Sequence, residues 1–300
     1  MLIGIYHFSC VFETEAVLPF YKGSTFRGVF GRALKKVVCA LRLRDCPDCM
    51  LNDQCLYARM FESPTVPRPF VIEPPLDSGS RFPPGSSFDF SLLLFGETNK
   101  KLPYFIYAFR EMGHVGIGKR INGQRGRFTL ERVCHGGRVV YDIRQEKIVT
   151  PNVPDVTIPR VQRQEPTNLR ARVALITPLR IKYKNRLSPD LPFHVLVRAV
   201  LRRLSTLFEA YGEGEPDLDY TTLVRDAEKI KTVDNDISWF DWRRYSFRQD
   251  RQMLMGGLVG SIVYEGELGP YLPLLELSSM VHLGKQTTFG LGKIHVEVLQ

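Results

Sequence analysis

Two stretches of this 300-residue chain combine residue types that can do chemistry. The first is Leu283-Gly284-Lys285-Gln286-Thr287-Thr288-Phe289-Gly290-Leu291-Gly292-Lys293. Its three glycines free the backbone for conformations closed to other residues and let a phosphate chain approach main-chain N–H groups. Lys285 and Lys293 supply positive charge, and the stretch holds no Asp or Glu. It does not follow the Walker pattern, because Gly284-Lys285 is followed by Gln286 instead of Ser or Thr. Nor is it a dinucleotide fingerprint, since it falls between a helix and a closing strand. The competing reading is a tight turn lined with glycine.

The second stretch holds four of the six cysteines, Cys39, Cys46, Cys49 and Cys55, in the pattern C-x6-C-x2-C-x5-C. Six cysteines in this length do not make a disulfide scaffold. In a reducing compartment such a cluster points to metal sooner than to disulfide. Four thiolates suit a structural, tetrahedral Zn²⁺ and equally a [4Fe–4S] cluster. The alternative is four unligated thiols. Cys10 and Cys134 read as buried bystanders.

Positive charge is clustered as well. Between Phe20 and Arg44 stand Lys22, Arg27, Arg32, Lys35, Lys36, Arg42 and Arg44, with no acid and no histidine. A second run holds Lys119, Arg120, Arg125, Arg127, Arg132 and Arg138 against Glu131 alone. A third interleaves Arg243, Arg244, Arg248 and Arg251 with Trp242, Tyr245 and Phe247. Cations beside aromatics are what unstacked RNA bases and phosphates favour. A solvated strand face is the plain alternative for each.

Hydrophobic periodicity supplies the elements that must position these groups. Strands are expected at Leu2 to Phe12, Pro69 to Glu73, Ser86 to Phe95 and Gly126 to Cys134. Helices are expected at Ser24 to Leu43 and Pro103 to Met112. The second half gives strands at Leu169 to Tyr183, Ile237 to Gln249, Leu258 to Gly266 and Lys293 to Leu299. Its helices are Pro192 to Tyr211 and Leu272 to His282, and 212–235 reads as a polar, acidic insertion. Each half therefore has the order β-α-β-β-α-β, and each places a glycine-rich basic loop before its last strand. The expected fold class is α+β: two tandem ferredoxin-like (RRM-like) domains, 1–150 with the four-Cys insertion at 39–55, and 166–300 ending in the loop 283–293. A Pro-rich linker, Thr150 to Glu165, separates them.

Composition agrees with a globular chain: 44% hydrophobic and 24% charged residues exclude disorder, collagen and coiled coil as whole-chain descriptions. No window reaches the roughly 18 apolar residues of a membrane span, so no membrane association is expected. The first residues lack a basic n-region, so no signal peptide is expected and the location is read as cytoplasmic. A net charge of +9 and a pI near 9.3 favour a polyanionic partner.

The terminal Gly-x5-Gly-hydrophobic-Gly loop after doubled β-α-β-β-α-β order resembles the RAMP superfamily of CRISPR-associated RNA-binding proteins. Within it the chain is most similar to the endoribonucleases that process precursor CRISPR RNA. The segments carrying the resemblance are Pro19 to Lys35, the cysteines with Leu56 to Glu62, Trp242 to Gln249, Gly256 to Gly260, and His282 to Gly292. The cysteine spacing is also similar to the iron–sulfur loop of helix-hairpin-helix DNA glycosylases, from which only the ligand set is taken.

The RAMP resemblance implies a nuclease whose chemistry needs no metal. The ribose 2′-OH attacks the adjacent phosphate, leaving a 2′,3′-cyclic phosphate and a 5′-OH. That requires a base, an acid, and cations for the phosphorane. Relatives often carry a histidine in or near the first helix, and this chain has none there. Arginine is a poor base and a good phosphate clamp. His282, beside the glycine loop, becomes the expected base, unless it is a helix-end histidine bonded to backbone. Tyr21 and Lys285 become the expected acid or transition-state stabilisers. Expected RNA contacts are Lys22, Arg27, Arg32, Lys35, Lys36, Lys119, Arg120, Arg125, Arg127, Arg244, Arg248, Gly284, Gly290, Gly292 and Lys293. The expected partner is CRISPR precursor or repeat RNA, with other CRISPR effector subunits beside it. The alternative function is a non-cutting subunit that holds guide RNA.

Overall fold

The computed structural model describes residues 1–41, 45–62, 67–158, 168–184, 186–187, 189–246 and 251–299, with the backbone alone at 243–246 and 251–253. It is a mixed α+β protein with antiparallel sheets, and the chain divides into two compact units, Met1–Val156 and Thr157–Gln300. Residues 159–165 of the expected linker lie outside the described residues. Among the described residues no helix is long and apolar enough to cross a membrane.

The first unit is built on strands β1 (Ile3–Phe12), β2 (Phe70–Glu73) and β3 (Ser87–Phe95) and helices α1 (Gly23–Val38), α2 (Leu56–Phe61) and α3 (Leu102–Val115). The hairpin β4 (Ile117–Ile121) and β5 (Gln124–Gly126) precedes β6 (Phe128–His135) and β7 (Arg138–Asp142). The sheet runs β7-β6-β1-β3-β2, with Lys147–Ile148 added outside β7. Alternation along β1 places Tyr6, Phe8, Cys10 and Phe12 inward, where α1 and α3 cover them. The layer is phenylalanine-rich: Phe30 of α1 stacks on Phe109 of α3 at 4.5 Å, and Phe8 stacks on Phe90 at 4.8 Å. Each such buried ring contributes roughly 1.5–3 kcal/mol, so sequence period and packing agree here.

Helix α1 ends at Val38, where Cys39 turns extended at φ −80°, ψ 113°; the expected end, Leu43, lies outside the described residues. Helix α3 runs on to Val115 and ends at Gly116, whose φ of +77° is a left-handed stop. The basic glycine stretch read as a loop is the β4–β5 hairpin.

The second unit contains β8 (Asn168–Leu179), α4 (Phe193–Tyr211), α5 (Tyr220–Ala227), β9 (Lys231–Asn235), β10 (Ser238–Ser246), β11 (Arg251–Glu267), α6 (Leu272–Val281) and β12 (Ile294–Leu299). The sheet runs β9-β11-β8-β12, and β10 pairs with the first half of the 17-residue β11. The polar segment 212–235 holds more structure than its composition suggests. Asp219 caps α5 by accepting from the Thr222 N–H at 3.0 Å, and β9 adds an edge strand.

Buried phenols give the fold a measurable alkaline limit. Tyr6 donates to Asn99 Oδ1 at 2.8 Å, Tyr264 to the Leu191 carbonyl at 2.6 Å and Tyr271 to the Leu223 carbonyl at 2.9 Å. Burial pushes Tyr271 up to about 12, and Tyr6, Tyr21 and Tyr264 further. The unfolded chain releases these protons near 10 while the native state keeps them, so their stabilisation is complete below pH 10 and is lost as pH rises toward 12. The urea midpoint is expected to fall steeply over that window. Tyrosinate absorbance should lag behind a denatured reference, and coincident curves would contradict the burial.

Candidate nucleic-acid interface

In the second unit the glycine loop is a packed knot. The Leu283 N–H donates to the Gly292 carbonyl at 2.8 Å, the Lys285 N–H to the Arg180 carbonyl at 2.8 Å and the Gly292 N–H to the Pro178 carbonyl at 3.1 Å. Thr177 fastens it twice, its hydroxyl donating to the Gly290 carbonyl at 2.8 Å and accepting from the Lys293 N–H at 2.9 Å. A Cβ on Gly284 would lie 2.3 Å from the Arg180 carbonyl oxygen, and one on Gly292 would lie 1.9 Å from that of Leu283. Gly290 is left-handed at φ +81°. These glycines admit close packing against the end of β8, and much of the loop's main chain bonds inward. Lys285 is exposed and Lys293 half-buried, so phosphate contact falls to Lys285 more than to bare backbone.

His282 differs from the expected base. It is fully buried, sits at φ +59° just past α6, and its Nδ1 lies 3.0 Å from the Leu291 carbonyl oxygen across the loop. Arg203 of α4 donates from Nε at 3.1 Å and Nη2 at 2.9 Å to the neighbouring Val281 carbonyl. Burial pushes that guanidinium down to about 10, partly opposed by Tyr211. His282 and Arg203 thus hold the loop in place, and burial keeps the imidazole from a ribose at the surface. Tyr21 is buried too, and burial, with Glu73 adding to it, pushes its phenol well above the ordinary range. That weakens it as an acid.

Arg180 is a residue that sequence reasoning missed. It follows the bulged end of β8 and donates from Nη1 to the Gly256 carbonyl. Burial lowers its pKa, and Asp241 acts in the opposite sense. A Cβ on Gly256 would meet Asp241 Oδ1 at 2.0 Å, which accounts for the glycine there, and Trp239 Nε1 donates to the same carboxylate at 2.9 Å. No local signal marks Arg180; only the register of β8, β10 and β11 places it. In the third basic run Phe240 stacks on Trp242 at 5.7 Å. The side chains of Arg243, Arg244 and Arg251, and all of Arg248, lie outside the described residues.

In the first unit the structure gathers part of two runs that are far apart in sequence. Arg32, exposed on α1, feels the like charge of Arg125 on β5, which together with partial desolvation lowers its pKa; desolvation is the larger cause. Arg125 is half-buried and donates from Nη1 to the Gly118 carbonyl, bracing the hairpin. Gly118, at φ +85°, lets that hairpin approach the Val17 carbonyl to where a Cβ would lie 2.3 Å away. Lys119 and Arg120 are exposed on β4.

The remaining basic side chains have protein partners. Lys22 is fully buried, donating to the Asp77 carbonyl at 2.5 Å with the Asp77 carboxylate 3.5 Å away, so it ties down a loop and does not face RNA. Arg27 covers the Phe61 ring at 5.0 Å, Lys36 pairs with Glu111, and Arg127 pairs with Glu13 at 3.7 Å.

The four cysteines form no disulfide, and among the described residues no three His, Cys, Asp or Glu side chains converge as a metal-ligand group. The Lys35 ammonium lies 5.4 Å from the Tyr57 ring centroid. The cysteines are therefore not carried into the functional reading.

Residues 1–153 match the family model AF_1859_N, described as an N-terminal domain, and residues 173–294 match that of the CRISPR-associated endoribonuclease Cas6. The chain belongs to the family described by the AF_1859_N domain, and its second unit is similar to the CRISPR-associated endoribonuclease Cas6. An uncharacterized protein of Archaeoglobus fulgidus is 27% identical to this chain over 292 residues, 92% of this chain and 91% of its own. Among solved structures, a Thermus thermophilus Cas6 product complex shares the fold at 14% identity and TM-score 0.59, covering 99% of this chain and 100% of that one. A partial Cas6-RT-Cas1–Cas2 complex does so at 16% identity and TM-score 0.57, covering 99% of this chain and 46% of that one.

Proposed function

We propose that this chain is a RAMP-type protein that binds CRISPR repeat RNA through two ferredoxin-like halves and cleaves it by transesterification. The 2′-oxygen attacks the adjacent phosphorus and the bond to O5′ breaks, leaving a 2′,3′-cyclic phosphate and a 5′-OH. The proton leaves the attacking hydroxyl, and another reaches the departing O5′. The observation that carries the reading is the packing of β4 of the basic hairpin against α1, which puts exposed Arg32 of the helix on the same side of the first unit as the exposed Lys119 and Arg120 of the hairpin. A guanidinium offers a planar fork to the phosphorane oxygens. Lys119 and Arg120, exposed on the same hairpin, add charge for neighbouring phosphates, and Lys285, exposed on the glycine loop of the second unit, offers a separate RNA contact. The match of residues 173–294 to the Cas6 family supports repeat RNA as the substrate class. A Cas6-RT-Cas1–Cas2 assembly among the structural neighbours makes other CRISPR proteins the partners to test.

The test is incubation of the pure protein with end-labelled repeat RNA in EDTA. Discrete fragments ending in a cyclic phosphate are expected. A shifted but intact band would move the protein to the non-cutting, guide-holding role. Loss of cutting on adding EDTA would contradict chemistry without metal, and absence of binding at low salt would end the RNA reading.

A further inference from the structure

The outward side of α3 carries a row of side chains for which the proposed cleavage has no use. Tyr104, Tyr107, Arg110 and His114 follow at steps of three and four and fall within an arc of about 120° around the helix, with Lys101 preceding them at the N-cap. The other side, with Leu102, Phe105, Ile106, Phe109 and Met112, is buried in the core. Tyr104 is 48% exposed and Tyr107 is 54% exposed. The Arg110 guanidinium lies 5.7 Å from the Tyr107 ring centroid and 5.9 Å from that of Tyr141, with Glu146 3.6 Å from its Nη2. Glu111, the acid that flanks the row on the helix itself, pairs with Lys36 of α1. The row is about 20 Å long at the helical rise, enough for several nucleotides.

A single exposed aromatic needs no explanation. Two tyrosines one turn apart, in line with Lys, Arg and His, have the composition that holds unstacked bases between rings and guanidinium planes. A protein-docking face would be depleted in lysine and would add buried aliphatic anchors. This row contains no Leu, Ile or Met.

We propose that the row is a stacking platform for a single-stranded segment of the RNA. Bases lie on Tyr104 and Tyr107, and Lys101 and Arg110 meet the backbone. The proposal rests on RNA being the ligand, as argued above, and assigns it a second area of contact apart from Arg32 and the basic hairpin.

The test measures equilibrium binding of repeat RNA carrying 2-aminopurine at successive unpaired positions. It compares the wild-type chain with the pairs Tyr104→Ala/Tyr107→Ala and Tyr104→Phe/Tyr107→Phe. The alanine pair is expected to bind roughly tenfold or more weakly, to lose the fluorescence quenching at one or two positions, and to keep its circular-dichroism melt. Its salt dependence should be unchanged, because the rings carry no charge. The phenylalanine pair is expected to behave as wild type. Full RNA affinity in the alanine pair would overturn the platform and leave the row to a protein partner, with the cleavage reading intact. Failure of the wild-type chain to bind RNA would overturn both.

Discussion

Arg32→Ala is expected to slow cleavage of repeat RNA by roughly a hundredfold or more at saturating RNA, the usual cost of removing one preorganised donor from a developing negative charge. The residue is exposed on α1, so the melting temperature should hardly move. Affinity should fall far less than rate, because a ground-state phosphate carries less charge than the phosphorane. Arg32→Lys is expected to recover only part of the rate, since an ammonium lacks the planar fork. Arg125→Ala should cost more than rate alone, because Arg125 also braces the hairpin through the Gly118 carbonyl. A double-mutant cycle separates the two effects, and additive losses in single-turnover cleavage would refute a shared phosphate.

Gly292→Ala is expected to destabilise the second unit by about 3 kcal/mol or more, from left-handed backbone strain together with steric overlap. Its φ is +78°, and the added Cβ would stand 1.9 Å from the Leu283 carbonyl oxygen, a backbone atom that cannot swing aside. Relieving that overlap breaks the Leu283–Gly292 hydrogen bond and, with it, the contacts to Pro178 and Thr177. Gly123→Ala is the control. It has a similar φ of +81° but open space where the Cβ would go, so it should cost only about 1–2 kcal/mol. Chemical denaturation read by far-UV circular dichroism measures both. Equal losses at the two positions would mean that backbone conformation, not packing, makes glycine necessary in the loop.

Much of the architecture is local and so was legible in the residues. The two-residue period of Tyr6, Phe8, Cys10 and Phe12 and the three- and four-residue steps of Phe26, Val29, Phe30, Ala33 and Leu34 follow from the pitch of the elements themselves. The boundaries were less legible. Val37 continues the apolar pattern of α1, yet the helix ends one residue later as Cys39 turns extended. Asp219 and the strand 231–235 lie in the stretch whose polarity and acidity read as an insertion, where no apolar period marks an element.

Clustered cations on the first helix and the hairpin, glycines crowding the last turn and the lack of a histidine in the first helix are all legible in the residues. Tertiary structure alone decided which of those groups can act. It buries Lys22 against Asp77 and His282 against Leu291, packs the basic hairpin against α1, and leaves Tyr104 and Tyr107 in solvent. The reason is physical. Secondary structure answers to neighbours a few residues away, whereas a side chain's charge, exposure and partner depend on segments that reach it only when the chain has folded.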